Sequence, residues 1–314
     1  MEIILQTNGI EKKYKTQFAV KDVNMQIEQG DIYGFVGENG AGKTTIIRMI
    51  TGLAEPTKGT FTLFGVENTD TKKMAEVRRR ISAVVETPSI AMNMTAYDNL
   101  RMQAKLLGLT DLNYIDEVLE LTGLGEVRNS KKKVKNFSLG MRQRLGLAIA
   151  LLGHPDFIIL DEPMNGLDPK GIVEIRELIL RLNQENHITF LISSHILEEL
   201  SRMATKYGFL HKGKLFKQLT KEELEEHCRK CLQLEVDNAE KISQILESTL
   251  QIQNFKVLDG NVVRIYDDVD VTKVVQAVGE AGIKILQINT RNESIEEFYL
   301  NLMGGQGTGG EAHD

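Results

Sequence analysis

The sequence predicts an α/β protein: a mainly parallel sheet covered by helices over residues 1–220, then a smaller α+β unit over residues 221–303. Three observations predict it. Apolar strand-like runs alternate with amphipathic helical patterns in the first part, and four of those runs end on residues that carry chemistry. After Lys221 the order changes to strand, helix, strand, strand, helix, strand.

The four runs are residues 32–36, 81–85, 157–160 and 188–192. Between the second and third, residues 92–152 carry TAYDNLRMQAKLLG and DLNYIDEVLELTG, each with apolar residues at helical spacing, so a helical subdomain is expected there. Further on, CLQLEV, AEKISQILEST, NFKVL, NVVRIYD, DVTKVVQAVGEAG and KILQI follow the order of a ferredoxin-like domain, with Asp259-Gly260 turning the hairpin. The end, GGQGTGGEAHD (residues 304–314), is glycine-rich and polar and is expected to be a flexible tail.

Composition bounds the function. With 314 residues, the chain has enough material for two domains and a sizeable core. Its net charge of −6, with Lys and Arg spread along the chain, argues against a nucleic-acid partner. No apolar stretch approaches the roughly 20 residues that span a bilayer. The start, MEIILQTNGIEKKYK, lacks the order of a signal peptide, so a cytoplasmic location is expected. The two cysteines, Cys228 and Cys231 in EEHCRKC, would lie on nearly one face of a helix. With only His227 nearby they fall short of zinc's four ligands, and a solvated helix face is the expected reading. The KKKVK run, residues 131–135, reads as a solvated loop rather than a lipid contact.

The chemistry starts at Gly37-Glu38-Asn39-Gly40-Ala41-Gly42-Lys43-Thr44-Thr45, which follows DIYGFV and opens the helical pattern IIRMITGL. In that context the stretch is a phosphate-binding loop. Its glycines let backbone N–H groups turn inward, the helix N-terminus adds its positive end, Lys43 reaches the β- and γ-phosphates, and Thr44 offers a hydroxyl to Mg²⁺. Downstream, DFIILDEP ends a strand on two adjacent carboxylates, Asp161 and Glu162. Such a pair is unfavourable unless a cation arrives or one carboxylate holds a proton. Asp161 is expected in the Mg²⁺ shell. Glu162 is expected to polarise the water that attacks the γ-phosphorus, a general-base role worth roughly 10²- to 10⁴-fold in rate.

LISSHILEEL puts His195 at a helix start, where it either reaches a γ-phosphate or is simply a helix-start residue beside Ser193 and Ser194. SAVVETPS ends a buried run on Glu86, whose charge needs a cation or donor. Gly37, Glu86, Asp161 and His195 therefore each follow the carboxyl end of a strand, the edge at which open parallel sheets bind ligands. This edge predicts a nucleoside-triphosphate hydrolase using Mg²⁺, with Glu86 as a third carboxylate near the ion.

FSLGMRQRLGLAIALLGHP, residues 137–155, is more particular. Ser138-Leu139-Gly140-Met141 followed by Arg142-Gln143-Arg144 resembles the LSGGQ signature of ATP-binding cassette (ABC) ATPases, and DFIILDEP and Asn165-Gly166-Leu167-Asp168 follow at that family's spacing. The resemblance covers about residues 1–220. It implies a phosphate-loop core with antiparallel β and helical subdomains, and a head-to-tail homodimer holding ATP between the phosphate loop of one copy and the signature helix of the other. Ser138 and Gly140 would donate to the partner's γ-phosphate, as helix N-termini do for anions. Tyr14 would stack on adenine with Val20 packing beside it, and Asp168 would lie in the loop that couples the two sites.

Leu139 and Met141 replace the family's usual glycine and glutamine, and Glu86 stands where most of the family has glutamine. That glutamate, the FSLGMRQRL wording and the C-terminal extension resemble the branch of bacitracin-resistance and lantibiotic-immunity exporters. The implied role is an ATP-hydrolysing subunit on the inner face of the cell membrane, bound near Glu86 to separate integral-membrane permease subunits. Two other readings stay open: a soluble cassette ATPase outside transport, and a sensing ATPase module bound to a permease.

Overall fold

In the computed structural model of the chain, the N-terminus starts as antiparallel strands. β1 (Ile3–Tyr14) turns Ile4, Leu5 and Ile10 inward and pairs with β2 (Gln17–Val23) and β3 (Gln26–Glu28). The buried Thr7 hydroxyl closes their corner, donating to Val23 O at 2.9 Å and accepting from Met25 N at 2.8 Å. β4 (Ile32–Val36) and α1 (Lys43–Thr51) follow, then β5 (Lys58–Leu63) and β6 (Val66–Glu67). β5 pairs with β1, giving a sheet ordered β2-β1-β5-β6 with β3 also on β1. The strand-helix alternation expected over residues 1–220 therefore begins only at β4. Register shifts along β1 interrupt its pairing with all three partners, so this long strand shows no clean period of two.

The second sheet is built from later elements. The chain continues through α2 (Thr71–Val77), β7 (Ile81–Val84), α3 (Ala96–Leu106), α4 (Tyr114–Leu121), α5 (Leu139–Leu151) and β8 (Phe157–Asp161). It then runs through α6 (Pro169–Asn186), β9 (Thr189–Ser194), α7 (Leu197–Ser201), β10 (Lys206–His211) and β11 (Lys214–Thr220). Six strands order as β11-β10-β4-β9-β8-β7, all parallel except β11. β4, β8 and β9 are buried along their whole length, as strands covered on both faces must be. A buried strand is expected ahead of Glu86, and here the structure corrects the sequence. β7 is the edge strand, only partly buried, so the charge after it emerges into solvent instead of the core.

Two helices position the site. α1 buries Ile46, Ile47, Met49 and Ile50 in a core shared with Leu5, Ile27 and Phe61 of the first sheet and Phe35, Ile159 and Leu191 of the second. α5 is apolar all round over its second half and packs against β7, α3, α4 and α6, which ties the helical insert to the sheet. In the KKKVK run only Val134 is buried; its N–H and that of Lys135 bond to Met94 O and Met92 O at 2.9 Å, and the lysines are exposed.

The structure describes residues 2–86, 88–228, 230–258, 260–291 and 295–304, and these form two units, residues 1–221 and 222–314. The second unit comprises most of α8 (Lys221–Cys228), then β12 (Cys231–Val236), α9 (Ala239–Ser248), β13 (Phe255–Leu258), β14 (Val262–Ile265), α10 (Val271–Glu280), β15 (Ile285–Arg291) and α11 (Ile295–Gly304). Its antiparallel sheet orders as β13-β14-β12-β15, the strand order of a ferredoxin-like domain. Leu232, Leu234, Val263 and Ile265 pack on Ile242 and Val274 of α9 and α10. α8 and α11 are additions to the expected set. The cysteine expectation is corrected: α8 stops at Cys228 and Cys231 opens β12, so the two share no helix face. Asp259 of the expected turn and residues 305–314 of the expected tail lie outside the described residues. Among the described residues no helix is long and apolar enough to cross a membrane.

Candidate active site

Parallel register decides which groups meet. Val36 lies opposite Ser194, and Asp161 lies opposite Ser193, so the carboxyl ends of β4, β9 and β8 come level. Off β4 runs the loop of residues 37–45. Gly40 and Gly42 take φ of 83° and 109°, where a side chain is strained, and a Cβ on Gly37 would stand 2.5 Å from Leu210 O. Around these glycines the loop carries Glu38 and Asn39 outward; it is closed by Ala41 N donating to Glu38 O at 3.0 Å and pinned by Gly213 N donating to Ala41 O at 2.9 Å. The first N–H groups of α1, on Lys43, Thr44 and Thr45, have no acceptor within the helix and form its positive end.

Lys43 is almost fully buried. Its Nζ donates to Gly37 O at 2.5 Å and Glu38 O at 3.3 Å and lies 3.1 Å from Glu162 Oε1. Thr44 Oγ1 donates to Asp161 Oδ2 at 2.8 Å, and Ser193 Oγ donates to Asp161 Oδ1 at 2.5 Å. Glu162 stands at φ +52°, a left-handed conformation that costs about 1–3 kcal/mol in a non-glycine residue and tends to mark functional sites. Its Oε2 sits 2.8 Å from His195 Nδ1, so His195 touches Glu162. Its Oε1 is buried and, among the described residues, takes no hydrogen bond. The Thr44 hydroxyl and the Asp161 carboxylate side by side form an all-oxygen donor pair that suits Mg²⁺.

The other candidates fall elsewhere. Glu86 is not brought to Asp161 and Glu162: it is 62% exposed, and Arg48 Nη2 of α1 donates to its Oε1 at 2.6 Å. Among the described residues no three acidic, histidine or cysteine side chains gather into a metal cluster. Tyr14 is half-exposed at the end of β1 with Lys12 over its ring, while Val20 is fully buried in the core. Ser138 caps α5, accepting from Met141 N at 3.2 Å, with Gly140 two residues on, in the first turn, and open to approach. Asp168 caps α6, accepting from Gly171 N at 3.1 Å. Leu139, one of the two departures from the signature, lies beside Gly166, where an added Cβ would stand 3.3 Å from its Cδ2, so the signature start and the Asn165–Asp168 stretch are neighbours within one chain.

Arg48, Ser193 and Glu199 were not among the sequence candidates. Only a neighbour's need pointed to Arg48, because Glu86 calls for a cation. Glu199 of α7 lies 3.5 Å from Ser194 Oγ, and burial pushes its carboxyl above the usual range, with His195 opposing and Glu162 reinforcing the shift. A raised acid pKa in the fold means that ionised Glu199 destabilises it. The penalty is absent below the unfolded value, near pH 4.3, and grows as pH rises through the folded value. Glu199→Gln is therefore expected to raise the melting temperature at pH 7–8, with the gain fading towards pH 4. Thermal unfolding across that range checks this, and a gain independent of pH would contradict it.

A phosphate loop, two consecutive carboxylates at the end of β8 and a histidine on the second of them define a nucleoside triphosphatase. The comparisons with known proteins agree. The family model for ABC transporters matches residues 20–165. The bacitracin transport ATP-binding protein BcrA of Bacillus licheniformis is 42% identical over 306 residues, 97% of this chain and 99% of that protein. The lantibiotic transport ATP-binding protein SrtF of Streptococcus pyogenes is 40% identical over 212 residues, 68% of this chain and 89% of that one. Among solved structures, cbiO1 from Clostridium perfringens shares the fold with a TM-score of 0.66, over 80% of this chain and 98% of that one, at 24% identity. The chain belongs to the ATP-binding proteins of the ABC transporter family and is an ATPase.

Proposed function

We propose that this chain is the ATP-hydrolysing subunit of an exporter that carries a peptide antibiotic of the bacitracin or lantibiotic type, or gives immunity to it, through separate integral-membrane subunits. The strongest support is the match to a bacitracin transport protein along the length of both chains, C-terminal unit included. Lys43 and the N–H groups of residues 37–45 bind the phosphates of ATP, and Tyr14 stacks on the adenine with Val20 behind it. Thr44 and Asp161 would hold Mg²⁺, which would neutralise charge on those phosphates. Glu162 takes a proton from the attacking water. His195 orients that carboxylate and faces the γ-phosphate.

Two copies close head to tail, so that Ser138 and Gly140 at the N-terminus of α5 donate to the γ-phosphate bound by the other copy. Asp168 fixes the loop between the two sites. The chain sits on the inner face of the cell membrane, held by its permease. Glu86 serves coupling: Arg48 holds one side of it, and its exposed side meets a basic or hydroxyl group of the membrane subunit. For Glu86 to act as an ion ligand it would first have to leave Arg48.

The test is ATP turnover by the chain alone, with its membrane subunits in liposomes, and with bacitracin or a lantibiotic added. Turnover is expected to rise with the membrane subunits and again with the peptide; an equal rate in all three states would sink the reading. In the same liposomes, Glu86→Gln and Glu86→Ala are expected to lower export per ATP hydrolysed. If both match the wild type, the coupling role is wrong.

A further inference from the structure

Ser193 is the last-but-one residue of β9, fully buried, and the parallel register sets it directly opposite Asp161. A hydroxyl buried at a sheet tip is unfavourable unless both its donor and acceptor sides are used. Here both are used, and on consecutive residues: Oγ donates to Asp161 Oδ1 at 2.5 Å and accepts from Glu162 N at 3.0 Å. We propose that Ser193 is a positioning residue for hydrolysis, clamping Asp161 and Glu162 in the pose the reaction uses. This rests on the reading of Glu162 as the general base.

The clamp acts twice. By engaging Asp161 Oδ1 it fixes the carboxylate's rotation, which leaves Oδ2 for the Thr44 hydroxyl. By accepting from Glu162 N it helps hold that residue at φ +52°, and this turn sends the side chain back to Lys43 and His195. An alanine or valine at this register position would fill the sheet equally well. The Glu162 N–H would then keep only its longer 3.2 Å bond to Ser193 O, and Asp161 Oδ1 would lose its donor. Glu162 would be released towards an unstrained backbone, and its carboxylate would leave the position from which it reaches the attacking water. No atom of Ser193 needs to touch ATP for this.

Because the phosphate loop keeps its contacts, the expected signature is a split between kcat and KM. Ser193→Ala should lower kcat by about 10- to 100-fold, the scale of a misplaced catalytic group, with KM for ATP nearly unchanged. Ser193→Thr, which restores the hydroxyl, should recover most of the rate. In the double variant with Glu162→Gln, the serine change should cost less than it does alone, since part of its effect runs through Glu162 and only the Asp161 part remains. Melting temperatures of all variants separate misfolding from misplacement. A wild-type kcat in Ser193→Ala overturns the proposal, as does an equal loss in Ser193→Ala and Ser193→Thr. If Glu162→Gln itself hydrolyses ATP normally, the base assignment has failed. If Glu162→Gln is inactive while Ser193→Ala is normal, only the clamp has failed.

Discussion

Glu162→Gln is expected to lower ATP hydrolysis by about 10²- to 10⁴-fold while ATP still binds. The amide has the carboxylate's shape but cannot take a proton from water, and it loses the ion pair with Lys43 at 3.1 Å. Lys43 keeps its carbonyl contacts at Gly37 and Glu38, so the phosphate loop retains its form. Bound but unhydrolysed ATP should then hold two copies together, and a sizing column run in ATP should show a dimer that the wild type shows only transiently. Phosphate release gives the rate. Fast release without a dimer would remove Glu162 from the role of base.

The second large effect is expected from Gly42→Ala. Gly42 stands at φ +109°, and a Cβ there would lie 2.6 Å from Ala19 O, a backbone atom that no rotamer change can move. Strain of this kind costs about 1–3 kcal/mol before the collision is counted. The loop must shift off β2, turning its N–H groups away from the phosphates, so ATP affinity should fall by about tenfold or more. Gly40→Ala is the control. It carries the same kind of backbone strain at φ +83°, but its Cβ would have no atom within 4 Å, so its loss should be smaller. Titration with a fluorescent ATP analogue measures both. Equal losses at the two glycines would show that the contact with Ala19 is unimportant.

How much of this was legible follows from how local each feature is. The phosphate loop and the Asp161-Glu162 pair are contiguous in sequence and flanked by unbroken apolar runs, so their positions and chemistry could be read directly. The contact of His195 with Glu162 spans 33 residues, and only the strand order β4-β9-β8 makes it. Ser193 was visible merely as a neighbour of His195, because its partner is set by a register that no single strand reveals. β1 hid for a different reason, since its register shifts break the periodicity. The edge position of β7 was illegible as well. SAVV reads the same in the middle of a sheet and at its margin, and that difference turned Glu86 from a buried charge into an exposed one.

The Arg48–Glu86 pair has a mechanical meaning. Arg48 lies five residues beyond Lys43 on α1, about 7.5 Å along a helix wedged between two sheets by its isoleucines. The grip on the phosphates and the tether on Glu86 are therefore two ends of one stiff rod. An exposed ion pair of this kind contributes about 0–1 kcal/mol, so the joint between rod and loop opens and closes at thermal energies while the rod stays seated. The loop is thus free to follow a moving neighbour without loosening the hold on the nucleotide, and each time it returns it finds Arg48 where the occupied phosphate loop has left it.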